Sequence, residues 1–165
     1  MWLIGMMGSG KTTVGRRAAA LVGVPFYDTD EMVVEIARMP INAIWEGVGE
    51  EGFRELERRA VADVPESGFI AAAGGGAVID SRNRAHLAED GPVVWLRCKP
   101  EVLAARVRGD DGRPLLSPRS SPEDLLAGLI DERRELYSET ATDVVDTDEL
   151  DIAEVVSAVI DIWER

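Results

Sequence analysis

Lys11 is one of two lysines in a chain that carries sixteen arginines, and it stands inside Gly5-Met6-Met7-Gly8-Ser9-Gly10-Lys11-Thr12. These residues fill the pattern G-x-x-x-x-G-K-[ST] of a phosphate-binding loop. A compact ammonium suits such a loop better than a planar guanidinium. Trp2-Leu3-Ile4 reads as a short apolar strand leading in, and Thr12 to Leu21 as a helix leading out. In that arrangement backbone N–H groups point at phosphate, the helix dipole favours negative charge, and glycines let the backbone wrap closely. Lys11 is placed to reach the β- and γ-phosphates of ATP, and the Thr12 hydroxyl to hold Mg²⁺.

Three further groups could do chemistry. Asp28-Thr29-Asp30-Glu31 follows a short apolar run. One carboxylate there can hold Mg²⁺ and a second can hydrogen-bond an attacking hydroxyl. Helix capping by Thr29 or Asp30 accounts for one acidic residue, not for two. Gly74-Gly75-Gly76 ends another apolar run, and three glycines suggest a ligand lying against bare backbone; a tight connection is the plainer alternative. Among the arginines, Arg113 is the strongest single candidate, because an arginine in a lid can close over a transferring phosphate. Arg54 follows Phe53 near the start of a helix, and Arg133 and Arg134 lie late on another. Arg58 and Arg59 read as solvated surface charges.

Elements must hold these groups together. Apolar runs alternate with helical stretches along the chain, the signature of a parallel α/β sheet with helices on both faces. Strands are expected at 2–4, 24–27, 68–73, 92–97 and 143–146. Helices are expected at 31–38, 41–46, 49–62, 81–89, from Pro100, from Ser121 to about 138, and at 152–163. Ser121, with Asp124 behind it, is expected to cap its helix. The stretch 108–119 is polar and aperiodic, with Gly109, Gly112, Pro114 and Pro118, and reads as a mobile lid. In such sheets the active site lies beyond the carboxyl ends of the strands.

The 165 residues suit a single domain, and 45% hydrophobic with 30% charged residues suits a globular one. No apolar run approaches a membrane span of about 20 residues. The first strand begins at once, so no signal peptide is expected, and a cytoplasmic monomer is. One cysteine, Cys98, excludes an intrachain disulfide, and with His86 the only histidine a Cys/His zinc site is excluded too. The net charge of −13 argues against nucleic acid as partner. It also repels ATP at long range, so the site must concentrate positive charge locally. No N-K-x-D guanine-reading sequence is present, and Val93-Val94-Trp95-Leu96 runs into Arg97-Cys98 rather than a water-activating acid. A P-loop protein with a lid and without that acid reads as a kinase of a small molecule, since a lid suppresses ATP hydrolysis.

Taken together, the segments resemble the shikimate kinases, P-loop kinases of the nucleoside-monophosphate-kinase fold. The resemblance rests on Gly5–Thr13, Phe26-Tyr27-Asp28-Thr29-Asp30, the run from Gly49 to Glu57, Gly74-Gly75-Gly76-Ala77, Arg113-Pro114-Leu115-Leu116 and Arg133-x-x-Leu136-Tyr137. It implies that ATP lies on Gly8, Ser9, Gly10, Lys11, Thr12 and Thr13, with Arg106 stacked on adenine. It implies Mg²⁺ on Thr12 with Asp28 nearby, and Asp30 at the 3-hydroxyl of shikimate. Arg54 and Arg133 would grip the shikimate carboxylate, Gly74, Gly75 and Gly76 would lie against its ring, and Arg113 would touch the transferring phosphate. Helices within 31–62 would carry the substrate-binding side. Lys11, Arg54, Arg113 and Arg133 would then converge on two anions inside an acidic shell.

The chain departs from the family pattern at Glu135, where proline often precedes Leu-Tyr, and at Asp148-Glu149-Leu150-Asp151, which lacks a proline often found near adenine. Its N-terminus is short for the family, which leaves the first strand open to fraying. Two alternatives remain at this stage: a gluconate-type kinase, whose acceptor is also a hydroxylated acid, and a non-catalytic ATP-binding relative. The triple glycine and Phe53-Arg54 favour shikimate over gluconate. The intact set of candidate site residues favours an enzyme.

Overall fold

In the computed structural model, residues 1–89, 91–107 and 121–165 are described. The expected lid at 108–119 and Arg113 lie outside the described residues. Five strands form one sheet: β1 (Trp2–Ile4), β2 (Phe26–Asp28), β3 (Ile70–Ala72), β4 (Val93–Arg97) and β5 (Asp143–Asp146). Every pairing is parallel, and the order is β2-β3-β1-β4-β5. The helices are α1 (Lys11–Val22), α2 (Thr29–Ala37), α3 (Ile41–Ala62), α4 (Ser81–Glu89), α5 (Pro100–Val107), α6 (Pro122–Thr140) and α7 (Ile152–Trp163).

Alternation along the strands builds two cores, because successive side chains point to opposite faces. Leu3, Ile70, Val94 and Leu96 pack with Val14 and Ala18 of α1 and Val155, Val156 and Val159 of α7. Trp2, Ile4, Ala71 and Trp95 pack on the other face with Val61, Leu87 and Tyr137 from α3, α4 and α6. Gly15 lets α1 approach β2: a Cβ there would lie 2.5 Å from the Phe26 ring. No helix among the described residues is long and apolar enough to cross a membrane.

The structure corrects four local expectations. The first strand is not frayed: Met1 and Trp2 are buried and the Met1 amino group donates to the Phe69 carbonyl at 3.1 Å, because β1 is paired on both sides. Helix α2 begins at Thr29, two residues early, because Asp28 is its cap: that carboxylate accepts from the N–H groups of Asp30 and Glu31. Ser121 makes no side-chain capping bond; Glu123 and Asp124 in the first turn of α6 meet the helix dipole instead. Arg58 is not a solvated charge. It pairs with Glu55 and with Asp80 at 2.9 Å, because the turn after the glycines folds back against α3. The expected break between the helices of 41–62 is present within α3, where Gly49 has φ 70° and ψ −174°.

Candidate active site

The loop between β1 and α1 is shaped by three glycines at positive φ: Gly5 at 142°, Gly8 at 81° and Gly10 at 93°. Side chains are disfavoured there on conformational grounds, and at Gly5 and Gly8 on space as well, since a Cβ would meet the Leu96 carbonyl oxygen at 2.6 Å and Val107 at 2.7 Å respectively. Lys11 Nζ donates to the carbonyls of Gly5 at 2.8 Å and Met6 at 3.0 Å, so its ammonium lies over the loop rather than in solvent. The Ser9 hydroxyl is buried and has no partner among the described residues.

Asp28 serves two elements at once. Its Oδ2 accepts the Thr12 hydroxyl at 2.6 Å, while Oδ1 caps α2. The buried Thr29 hydroxyl accepts the Gly74 N–H at 2.9 Å, which ties the end of β2 to the end of β3. Thr12 and Asp28 present only oxygen, the donor type that Mg²⁺ prefers. No cluster of three His, Cys, Asp or Glu among the described residues could hold a metal by itself. An ion held by Thr12 and Asp28 would take its remaining ligands from phosphate and water.

The three glycines do different jobs. A Cβ at Gly74 would lie 2.6 Å from Asp30 Oδ1 and 2.9 Å from Glu57 Oε1. A Cβ at Gly76 would lie 2.7 Å from Arg54 Nη2. Gly75 faces the phosphate loop, with Met7 N 3.3 Å and Gly5 O 3.5 Å from the corresponding point. The space vacated at Gly74 and Gly76 is thus filled by the chain's own charged side chains. The sequence had suggested a ligand there.

Those side chains form a charged group around the buried Glu57. Arg54 Nη1 donates to Glu57 at 2.8 Å, and Nη2 reaches Glu50 at 3.4 Å. The Arg54 guanidinium also lies 5.9 Å from the centre of the Trp45 ring and 5.5 Å from that of Phe53. Glu57 is 1% exposed, and burial pushes its carboxyl above the ordinary range although Arg54 opposes the shift. Arg133 is 5% exposed and donates to the Gly75 carbonyl at 3.2 Å. Neither Arg54 Nε nor Arg133 Nε has an acceptor among the described residues, although both are buried. A buried donor without an acceptor costs roughly 1–3 kcal/mol, and more when charged. Two such groups mark a place where an anionic ligand would be stabilised.

The cleft beside these residues has a volume of about 460 Å³ and is lined by residues 7–14, Asp28, Asp30, Gly75, Arg106 and Thr147, among others. Arg106 donates to the Thr147 carbonyl at 3.1 Å, which places its guanidinium on the wall with Ile152 and Val155. Lys11, Thr12, Thr13, Asp28, Asp30, Gly75 and Arg106 are therefore brought to one cleft. Arg54, Gly74, Gly76 and Arg133 adjoin it through Asp30 and Gly75. Arg134 stands apart, paired with Asp131 on the surface.

Two residues acquire roles that sequence reasoning did not assign. Glu57 holds Arg54, and its i, i+3 spacing from Arg54 was the available signal. Tyr137 donates to the Gly75 carbonyl at 2.6 Å. It lies four residues after Arg133, on the same helix face.

Comparisons with known proteins identify the family and the fold. The family model described as Shikimate kinase matches residues 7–164. A shikimate kinase of Moorella thermoacetica is 47% identical over 154 residues, covering 93% of this chain and 87% of the relative. One of Histophilus somni is 35% identical and covers 100% of this chain and 95% of the relative. Among solved structures, the shikimate kinase of Acinetobacter baumannii in complex with shikimate superposes with a TM-score of 0.93 at 33% identity, over 99% of this chain and 91% of that one. A gluconokinase of Sinorhizobium meliloti, at TM-score 0.66 and 22% identity, shares the fold alone. With the family model matched over residues 7–164 and relatives 35% and 47% identical over most of both chains, the chain belongs to the shikimate kinase family.

Proposed function

We propose that this chain transfers the γ-phosphoryl group of ATP to the 3-hydroxyl of shikimate, giving shikimate 3-phosphate and ADP. The observation that carries the reading is the pair Arg54, half-buried, and Arg133, buried, each with a buried Nε that no described residue accepts from, near Asp30 and the phosphate loop. They provide charge-assisted hydrogen bonds for the acceptor's carboxylate and set its orientation. Asp30 hydrogen-bonds the reacting hydroxyl and accepts its proton as the oxygen attacks the γ-phosphorus and the bond to the β–γ bridging oxygen breaks. The loop amides from Gly8 to Thr13 hold the phosphates, and Lys11 turns from the Gly5 and Met6 carbonyls to the β/γ oxygens. Mg²⁺ held by Thr12 and Asp28 would neutralise charge on the β- and γ-phosphates. Arg113 would do the same for the transferring group, and Arg106 would flank the adenine.

Helices α2 and α3 form the acceptor side in this reading. The protein would act as a cytoplasmic monomer on these two small molecules, without nucleic acid or membrane. The alternatives part company in one experiment: ADP release is followed by a coupled assay with shikimate, with gluconate, and with neither. Shikimate-dependent release is expected. Release with gluconate alone would assign the other acceptor, and ATP binding without release would make the chain a non-catalytic relative.

A further inference from the structure

We infer that Tyr137 is a positioning residue for the acceptor site: its hydroxyl shares the Gly75 carbonyl with Arg133 and thereby keeps the Arg133 guanidinium available to the acceptor's carboxylate. This inference rests on the function proposed above.

The Gly75 carbonyl accepts from two donors, Tyr137 Oη at 2.6 Å and Arg133 Nη1 at 3.2 Å. The tyrosine bond is the shorter and is fixed by packing. Tyr137 is 1% exposed and stacked on Trp95, with ring centres 5.5 Å apart and planes 22° apart. Burial drives its hydroxyl well above the ordinary phenol range, so it stays protonated and remains a donor at any working pH.

With the hydroxyl in place, the carbonyl's demand is largely met by a neutral group. Arg133 then spends one long bond on it and keeps Nε without an acceptor among the described residues. Without the hydroxyl, the only donor left to that carbonyl among these contacts is Arg133, and the guanidinium would draw onto Gly75 and away from the ligand. Gly75 also lies on the phosphate loop, 3.3 Å from Met7 N at its would-be Cβ. The same hydroxyl therefore steadies the wall between the two substrates.

The test compares Tyr137→Phe, which keeps the stacking and removes the hydroxyl, with Trp95→Phe, which keeps the hydroxyl and weakens the stacking. Steady-state kinetics with ATP and shikimate, shikimate titration by fluorescence, and thermal melting are measured on both. Loss of one hydrogen bond of about 1 kcal/mol predicts a rise of roughly fivefold in KM and Kd for shikimate in Tyr137→Phe, with KM for ATP within about twofold. Trp95→Phe should lower the melting temperature and leave KM for shikimate within about twofold. Unchanged shikimate affinity in Tyr137→Phe overturns the inference. So does a parallel rise in both KM values together with lost stability, which would make the residue structural only. If the wild-type protein releases no ADP with shikimate, the function proposed above fails and takes this inference with it. An active wild type beside an unaffected Tyr137→Phe sinks the tyrosine assignment alone.

Discussion

The guanidinium of Arg54 occupies the place that a side chain at residue 76 would need, with Nη2 2.7 Å and Cζ 2.8 Å from an ideal Cβ on Gly76. The clashing atoms are the far end of a flexible side chain, which gives way more easily than backbone, and moving it breaks its contacts with Glu57 and with the Trp45 and Phe53 rings. Gly76→Ala should therefore displace the arginine rather than the backbone. KM for shikimate is expected to rise about tenfold, equivalent to ~1.4 kcal/mol, with KM for ATP nearly unchanged. Steady-state kinetics with each substrate varied will check this, and an equal rise in both constants would remove Arg54 from the acceptor side.

Glu57 predicts opposite effects on stability and on binding. Its carboxyl is raised by burial, so it protonates more readily in the folded chain than in the unfolded one. The stabilisation from this group is fully present below the unfolded value of 4.5 and is lost as pH rises through the higher folded value. Glu57→Gln should remove that loss and melt no lower than the wild type at neutral pH. Its KM for shikimate should nevertheless rise several-fold, because Arg54 loses its ionic anchor. Melting curves from pH 4 to 8 beside steady-state kinetics will show whether the two effects separate.

Asp28 allows its two duties to be told apart. Asp28→Ala removes both the α2 cap and the Thr12 partner. The cap alone is worth about 1 kcal/mol, or a drop of roughly 2–4 °C in melting temperature for a chain of this size. Asp28→Asn keeps a capping oxygen and should melt close to the wild type. Both variants should need more Mg²⁺ for half-maximal activity, measured by titrating the metal at saturating substrates.

Asp30→Asn should lower kcat by roughly 10²–10⁴, the usual worth of a positioned general base, while ATP binding is retained. The fold should not suffer. Asp30 and Glu57 are like charges on either side of the Gly74 position, and the Asp30 charge is among the influences that raise Glu57. Calorimetry of ATP binding together with thermal melting will distinguish lost chemistry from lost structure.

Asp80 governs acid stability. Hydrogen bonds from the Arg82 side chain and backbone and from Arg58 hold its carboxyl down to about 2. The stabilisation is present above the unfolded value of 3.8 and is lost as pH falls through about 2. Asp80→Asn should flatten the decline in melting temperature below pH 4, and an unchanged acid limb would discount the Arg58–Asp80 link.

Much of the scaffold was legible because short apolar runs and turn residues have few alternative uses. The loop from Gly5 to Thr12, the strands carrying Trp2–Ile4 and Val93–Arg97, and the break at Gly49 fall where the sequence placed them. The cap of α2 did not, because the capping residue depends on where β2 ends, and Asp28 belongs to both elements. The burial of Glu57 and the pairing of Arg58 with Asp80 were not legible for a related reason. Which face of α3 is buried is decided by the glycine turn and the Asp80 turn that pack on it, and both are distant in sequence. The triple glycine was legible as a close approach. What approaches, Arg54 on one side and Asp30 with Glu57 on the other, became visible only in three dimensions.

Trp45 gives the molecule an optical reporter of its own. Its ring rests against the very guanidinium that an acceptor carboxylate would recruit, while Trp2 and Trp95 are enclosed in the interior. Filling that half of the cleft alters the electric field at one indole and leaves the other three, Trp2, Trp95 and Trp163, as background. Occupancy by the acid can thus be followed as a change in emission with no nucleotide present and no turnover, separately for each of the two ligands.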